Sequence, residues 1–125
     1  MKSFLINPKK LNPIEEFDEN RVNWLLNKIK EEKKWKQPIV IAIEHNLVMD
    51  GHHRLEVALR LNCKKVPCYI FSYKEIKPYS LREDILVNSN LIIDNFLNSV
   101  IFPYKTAKHE LNLPYFNPVD IEELK

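Results

Sequence analysis

A single glycine in 125 residues constrains this chain more than any other feature of its sequence. Glycine is the ordinary solution wherever a backbone must turn left-handed or let another group come close to the main chain. Only one such place can be served that way here, and it is Gly51, within LVMDGHHRLEVALRL at 47–61. The same count removes whole classes of nucleotide site. A P-loop needs two glycines in G-x-x-x-x-G-K-[ST], and dinucleotide folds and protein kinases need two or three in G-x-G-x-x-G. Any phosphate site in this chain must be built another way.

The residues around Gly51 read as a strand, a tight turn and a helix. LVMD (47–50) is a short apolar run, and beyond Gly51 apolar residues return at 55, 58, 59 and 61 with helical spacing, before Asn62 offers a left-handed stop. Upstream, PIVIAI (38–43) is a β-branched run joined to LVMD by the polar turn Glu44, His45 and Asn46, which predicts a hairpin. Asp18 is placed to cap an earlier helix that runs to about Lys34, with Val22, Leu25, Leu26 and Ile29 as its apolar stripe. VPCYIFSY (66–73) predicts a third strand, and Ile92, Ile93, Phe96, Leu97 and Val100 a third helix with Ser89 at its cap. From Phe102 the chain reads as proline-bounded loop ending in one helical turn, IEELK. Trp24 and Trp35, in helical surroundings, read as packing residues. The fold class expected is α/β (α+β), a small mixed sheet with flanking helices, in a single domain over residues 1–125.

Charge and cysteine usage narrow the partners. Nineteen basic against 17 acidic residues leave a net charge of +2, so no overall field marks a nucleic-acid-binding protein. Cys63 and Cys68 are too few and too close for a disulfide framework, and no stretch approaches the roughly 18 apolar residues of a membrane span. A soluble cytoplasmic protein is the expectation, with no membrane partner and an oligomeric state the sequence leaves open.

The opening of the second helix is where chemistry gathers. The first N–H groups of a helix have no internal partners, so they are available to an anion, and a glycine at the mouth lets that anion come close. His52, His53 and Arg54 add donors and positive charge in the same turn. A plainer reading stands beside this one: Asp50 caps the helix, Gly51 only satisfies a backbone angle, and Arg54 pairs with a surface carboxylate. Zinc is a weaker alternative, because adjacent histidines on a helix diverge by about 100° and share no face.

At these residues a family becomes recognisable. MDGHHRLEVALRLNCKKVPCYIF (49–71) resembles the core of the ParB/sulfiredoxin-like superfamily, and its D-G-H-H-R form is similar to that of the free L-serine kinases of that group. LNPIEE (11–16) resembles the segment of those kinases that carries a catalytic glutamate, and FPYKTAKHEL (102–111) resembles their F-x-x-K-T-x-[RK]-H motif. Other branches fit less well. Sulfiredoxins place a cysteine where His52 stands, and partition proteins of the ParB type have a G-E-R-R-like motif and a further DNA-binding domain.

The resemblance implies a kinase that moves a phosphoryl group from ATP or ADP to the hydroxyl of free L-serine or a close relative. It implies Glu15 as the base, although spacing alone does not choose between Glu15 and Glu16. Asp50 would orient Mg²⁺, directly or through water, and Gly51, His52, His53 and Arg54 would hold the donor phosphates. Lys105, Thr106 and His109 would bind the amino acid. Such a transfer needs phosphates held in line, a divalent cation and a base for the hydroxyl proton, and each has a candidate. The competing expectation is a ParB-like nucleotide-binding regulator without kinase activity.

Overall fold

The computed structural model describes residues 1–125. At its centre is a four-stranded mixed sheet built from β1 (Phe4–Ile6), β3 (Ile39–Ala42), β4 (Val48–Asp50) and β5 (Val66–Phe71), in the order β1-β5-β3-β4. β3 and β4 form the expected antiparallel hairpin, while β5 lies parallel to β3 and antiparallel to β1. Parallel neighbours need a long crossover. Here it contains β4 and the helix α2 (His52–Arg60).

β3 is buried at every residue because both faces of the sheet are covered. Ile39 and Ile41 enter one core with Val48, Leu55, Val57 and Cys68, under α1 (Glu19–Glu32) and α2. Val40 and Ala42 enter another with Met49, Tyr69, Phe102 and Ile92 of α3 (Ser89–Leu97). Burial on two sides is why PIVIAI reads as an unbroken apolar run rather than an alternation.

α1 begins where expected. The Asp18 side chain accepts from the Asn20 N–H, and Lys33 closes the helix in the left-handed region. Asn62 has a positive φ after α2, as its position suggests. The cap of α3 is Asn88, whose side chain accepts from the Leu91 N–H, and Ser89 is instead the first helical residue.

Three further departures come from short strands. β1 pairs with β5 at the edge of the sheet, where the expectation had no strand. The tail is not plain loop: β7 (Ala107–His109) pairs with β6 (Pro78–Ser80), and β8 (Val119–Asp120) pairs with β2 (Lys34–Trp35), before a 3₁₀ turn at Ile121–Leu124. Trp35 is fully buried, but Trp24 is 60% exposed and is not a packing residue. Cys63 and Cys68 are buried and unpaired. No helix is long and apolar enough to cross a membrane.

Candidate active site

β4 delivers Asp50 and Gly51 to the sheet's end, and α2 starts at the next residue. Gly51 is the helix cap with φ of +107°, and no side chain caps the helix. Asp50 is therefore not the cap that the plainer reading required; its side chain is exposed and makes no hydrogen bond or ion pair. Glycine is needed for a second reason as well. A Cβ at Gly51 would stand 3.3 Å from Ile39 Cγ1 and 3.4 Å from Ile39 Cα, with little room for either to yield. The first-turn amides are thus left facing outward beside a backbone stripped of side chain.

A cleft of about 420 Å³ opens at this turn, large enough for a small ligand. Its wall brings together most of the residues singled out in the sequence: Glu15, Asp50, Gly51, His52, His53, Arg54, Lys105 and His109. Arg54 is half-buried there, and its guanidinium is held below its ordinary 12.5 by burial, with the charge of Asp50 opposing. It forms no ion pair, so its charge is unspent.

Glu15 reaches the cleft from the strip that precedes α1. Its carboxylate is buried and accepts hydrogen bonds from the N–H of Lys105 at 2.9 Å and of Ala107 at 3.1 Å. Burial raises its pKa above 4.5, outweighing the amides that favour the charge. Glu16 is exposed and absent from this wall, whereas Glu15 lines it.

The histidines differ from expectation. The Ile14 N–H donates to His52 Nε2 at 3.1 Å, and the Asp18 N–H donates to His53 Nε2 at 3.2 Å. An imidazole that accepts through one nitrogen is neutral. Burial pushes His52 down to about 3 and lowers His53 as well. Neither supplies the positive charge expected of it. Thr106 is fully buried, its hydroxyl donates to the Pro103 carbonyl at 2.6 Å, and it is absent from the cleft wall. His109 shares a hydrogen bond of 2.9 Å with the Tyr73 hydroxyl, and burial pushes it down to about 4.

Residues that sequence reasoning passed over complete the wall, among them Arg21, Trp24, Leu81, Tyr104 and Lys108. With the histidines neutral, Arg21, Arg54, Lys105 and Lys108 stand against Glu15 and Asp50. The cleft is a net cationic site in a chain of nearly balanced charge, suited to a polyanion. Trp24 had a readable signal: two residues after Val22, it lies about 200° around the helix from the buried stripe. The exposed indole stands at the rim of this cationic cleft, with Lys28 Nζ over its ring, 4.8 Å from the centre.

The family model described as the ParB N-terminal domain matches residues 2–84. An ATP-dependent L-serine kinase of Staphylothermus marinus is 40% identical over 73 residues, covering 55% of this chain and 29% of that protein. One of the same description from Desulfurococcus mucosus is 36% identical over 73 residues, with the same coverage. The chain thus spans under a third of the curated relatives it matches. A solved structure of a free serine kinase in complex with AMP superposes with a TM-score of 0.88 at 14% identity, over 98% of this chain and 93% of that one, which establishes the shared fold.

Proposed function

Because the chain belongs to the ParB N-terminal domain family and its cleft is built for a polyanion, we propose that it transfers a phosphoryl group from ATP or ADP to the hydroxyl of free L-serine, or a similar small hydroxy amino acid. One observation carries the reading: the Glu15 carboxylate and the open turn at Gly51–Arg54 line the same cleft, so a proton acceptor and a phosphate cradle address one volume. The relatives described as ATP-dependent L-serine kinases supply the substrate class. Residues 1–125 serve as one catalytic domain, since the cleft draws on positions from Glu15 to His109.

The donor phosphates lie against the amides of His52, His53 and Arg54, with the Arg54 guanidinium beside them. The nucleobase has the face of Trp24 to stack on. Lys105 offers its ammonium to the serine carboxylate, and His109 borders the same end. Glu15 takes the proton as the hydroxyl oxygen bonds to the terminal phosphorus and the bond to the bridging oxygen breaks, leaving ADP from ATP or AMP from ADP. A raised pKa suits a base that must take and return a proton.

The residues present fit Mg²⁺ as such ions are held with nucleotides, by one or two carboxylates and the phosphates themselves. Asp50 is that carboxylate, exposed at the cleft and without another partner, and no group of three ligating side chains competes for the ion. Bound there, the ion would offset phosphate charge.

The test is phosphorus NMR of purified protein with Mg²⁺, L-serine and either nucleotide. O-phosphoserine is the expected product. Nucleotide binding without product from serine or threonine would overturn the kinase reading in favour of a nucleotide-binding regulator.

A further inference from the structure

Two adjacent histidines sit at the phosphate cradle, and each uses its Nε2 on backbone outside it. Their ring acceptors are used on the strip of chain that carries Glu15: His52 takes the Ile14 N–H and His53 takes the Asp18 N–H. Those two amides bracket Glu15. Adjacent helical side chains diverge by about 100°, which is unsuited to gripping one ligand and suited to reaching two points on a passing strip.

Packing does little to fix that strip. Glu15 and His52 line the 420 Å³ cleft on one side and a separate hollow of about 580 Å³ on the other, where Pro13, Phe17 and Leu59 border open space. Beside the buried Leu11 and Ile14 side chains, hydrogen bonds set its position. Glu16 N–H donates to the Phe102 carbonyl, the Ile14 carbonyl accepts from the Phe102 N–H, the Glu15 carboxylate holds two amides, and the histidines add two more points, at the Ile14 and Asp18 amides.

We propose that His52 and His53 are positioning residues that fasten the strip bearing Glu15 to the first turn of α2, so that the phosphate cradle and the proton acceptor move as one unit. The assignment rests on the phosphoryl-transfer reading above and adds to it how the base is placed. It takes Nε2 of both histidines out of the set of possible phosphate ligands, beside the main-chain amides and Arg54. It also gives a reason for the D-G-H-H-R order: glycine opens the cradle, the histidines reach backward to the strip, and arginine faces the ligand.

Phenylalanine at either position keeps ring volume without an acceptor, and glutamine sets a carbonyl oxygen about where Nε2 stands. His52→Phe and His53→Phe should each lower kcat on the order of 100-fold, the scale of a displaced catalytic group, while the nucleotide Kd stays within about threefold. His52→Gln and His53→Gln should recover most of the loss. Hydrogen exchange read at the Ile14 and Asp18 amides supplies a second measure that needs no turnover: each phenylalanine variant should speed exchange at its own amide, and each glutamine variant should not. His53, half-buried, keeps the test open if His52→Phe fails to fold. A tenfold or greater rise in nucleotide Kd in the phenylalanine variants, unrepaired by glutamine, would make the histidines phosphate ligands and overturn the proposal. Unchanged kcat in both phenylalanine variants would overturn it too. If the unaltered protein forms no phosphoserine, the kinase reading fails by itself, and equal exchange at Ile14 and Asp18 in all variants would then sink the fastening independently.

Discussion

Replacing Gly51 with alanine tests the feature on which the cleft depends. At φ of +107° an L side chain is strained, at a cost of about 1–3 kcal/mol. The added Cβ would meet Ile39 Cγ1 at 3.3 Å and Ile39 Cα at 3.4 Å. The Cγ1 contact is tighter than ordinary packing, and Ile39 is fully buried in the central strand with nowhere to retreat. Together these put the loss toward the upper end, about 3 kcal/mol, which for a domain of this size lowers Tm by roughly 10 °C. The chain has one escape, rotation of the turn to negative φ. That would recover part of the stability and swing the first amides of α2 away from the ligand. Urea unfolding and nucleotide titration on the same preparation separate the routes: either stability falls by about 3 kcal/mol, or affinity falls tenfold or more with a smaller loss. A variant within about 0.5 kcal/mol of the parent, with unchanged Kd, would refute both the strain and the cradle.

Further outcomes can be checked with single substitutions and pH. Glu15→Gln should lower kcat by about 10²–10⁴-fold with nucleotide Kd nearly unchanged, and in the parent protein activity should rise with pH through a pKa above the ordinary 4.5; its rise at 4.5 or below would remove the effect of burial. Arg54→Ala should raise the nucleotide Kd at least tenfold, as loss of a charged phosphate contact does, and an unchanged value in titration calorimetry would end its role. Thr106→Val should cost about 1 kcal/mol of stability in urea and leave serine KM alone, because the hydroxyl is spent on Pro103; a large change in KM would return it to the substrate. His52 and His109 are held neutral, down to about 3 and about 4, while the unfolded chain protonates near 6.5. Their stabilising contribution is therefore full above about 6.5 and fades as pH falls toward 4, so thermal melts taken from pH 8 to pH 4 should drop; a flat series would contradict the burial of both rings.

What the sequence made legible followed local rules. The strand, turn and helix around Gly51 could be read because one residue type is forced at a left-handed position, and α1 because Val22 and Ile29 repeat on one buried face. β1 escaped notice because Phe4 and Leu5 remain exposed; hydrogen bonds to β5, rather than a buried face, make it a strand. β6 and β7 pair across about thirty residues of chain, and neither has an alternating pattern to announce it. The cleft divided the same way. Asp50, Gly51 and Arg54 were visible as a contiguous motif, whereas Arg21, Trp24 and Lys108 reach the wall only through the packing of α1 on α2 and the return of the tail. The direction in which His52, His53 and Thr106 turn was not encoded locally at all. It depends on which backbone groups arrive beside them.

The bonds between the Glu15 carboxylate and the amides of Lys105 and Ala107 join residues 90 and 92 positions apart. During synthesis Glu15 emerges some ninety residues before its partners, so its carboxylate stays unheld until the Lys105–Ala107 segment has left the ribosome. Chains that have not reached that segment would be inert toward the nucleotides around them, and competence would arrive in one step with it.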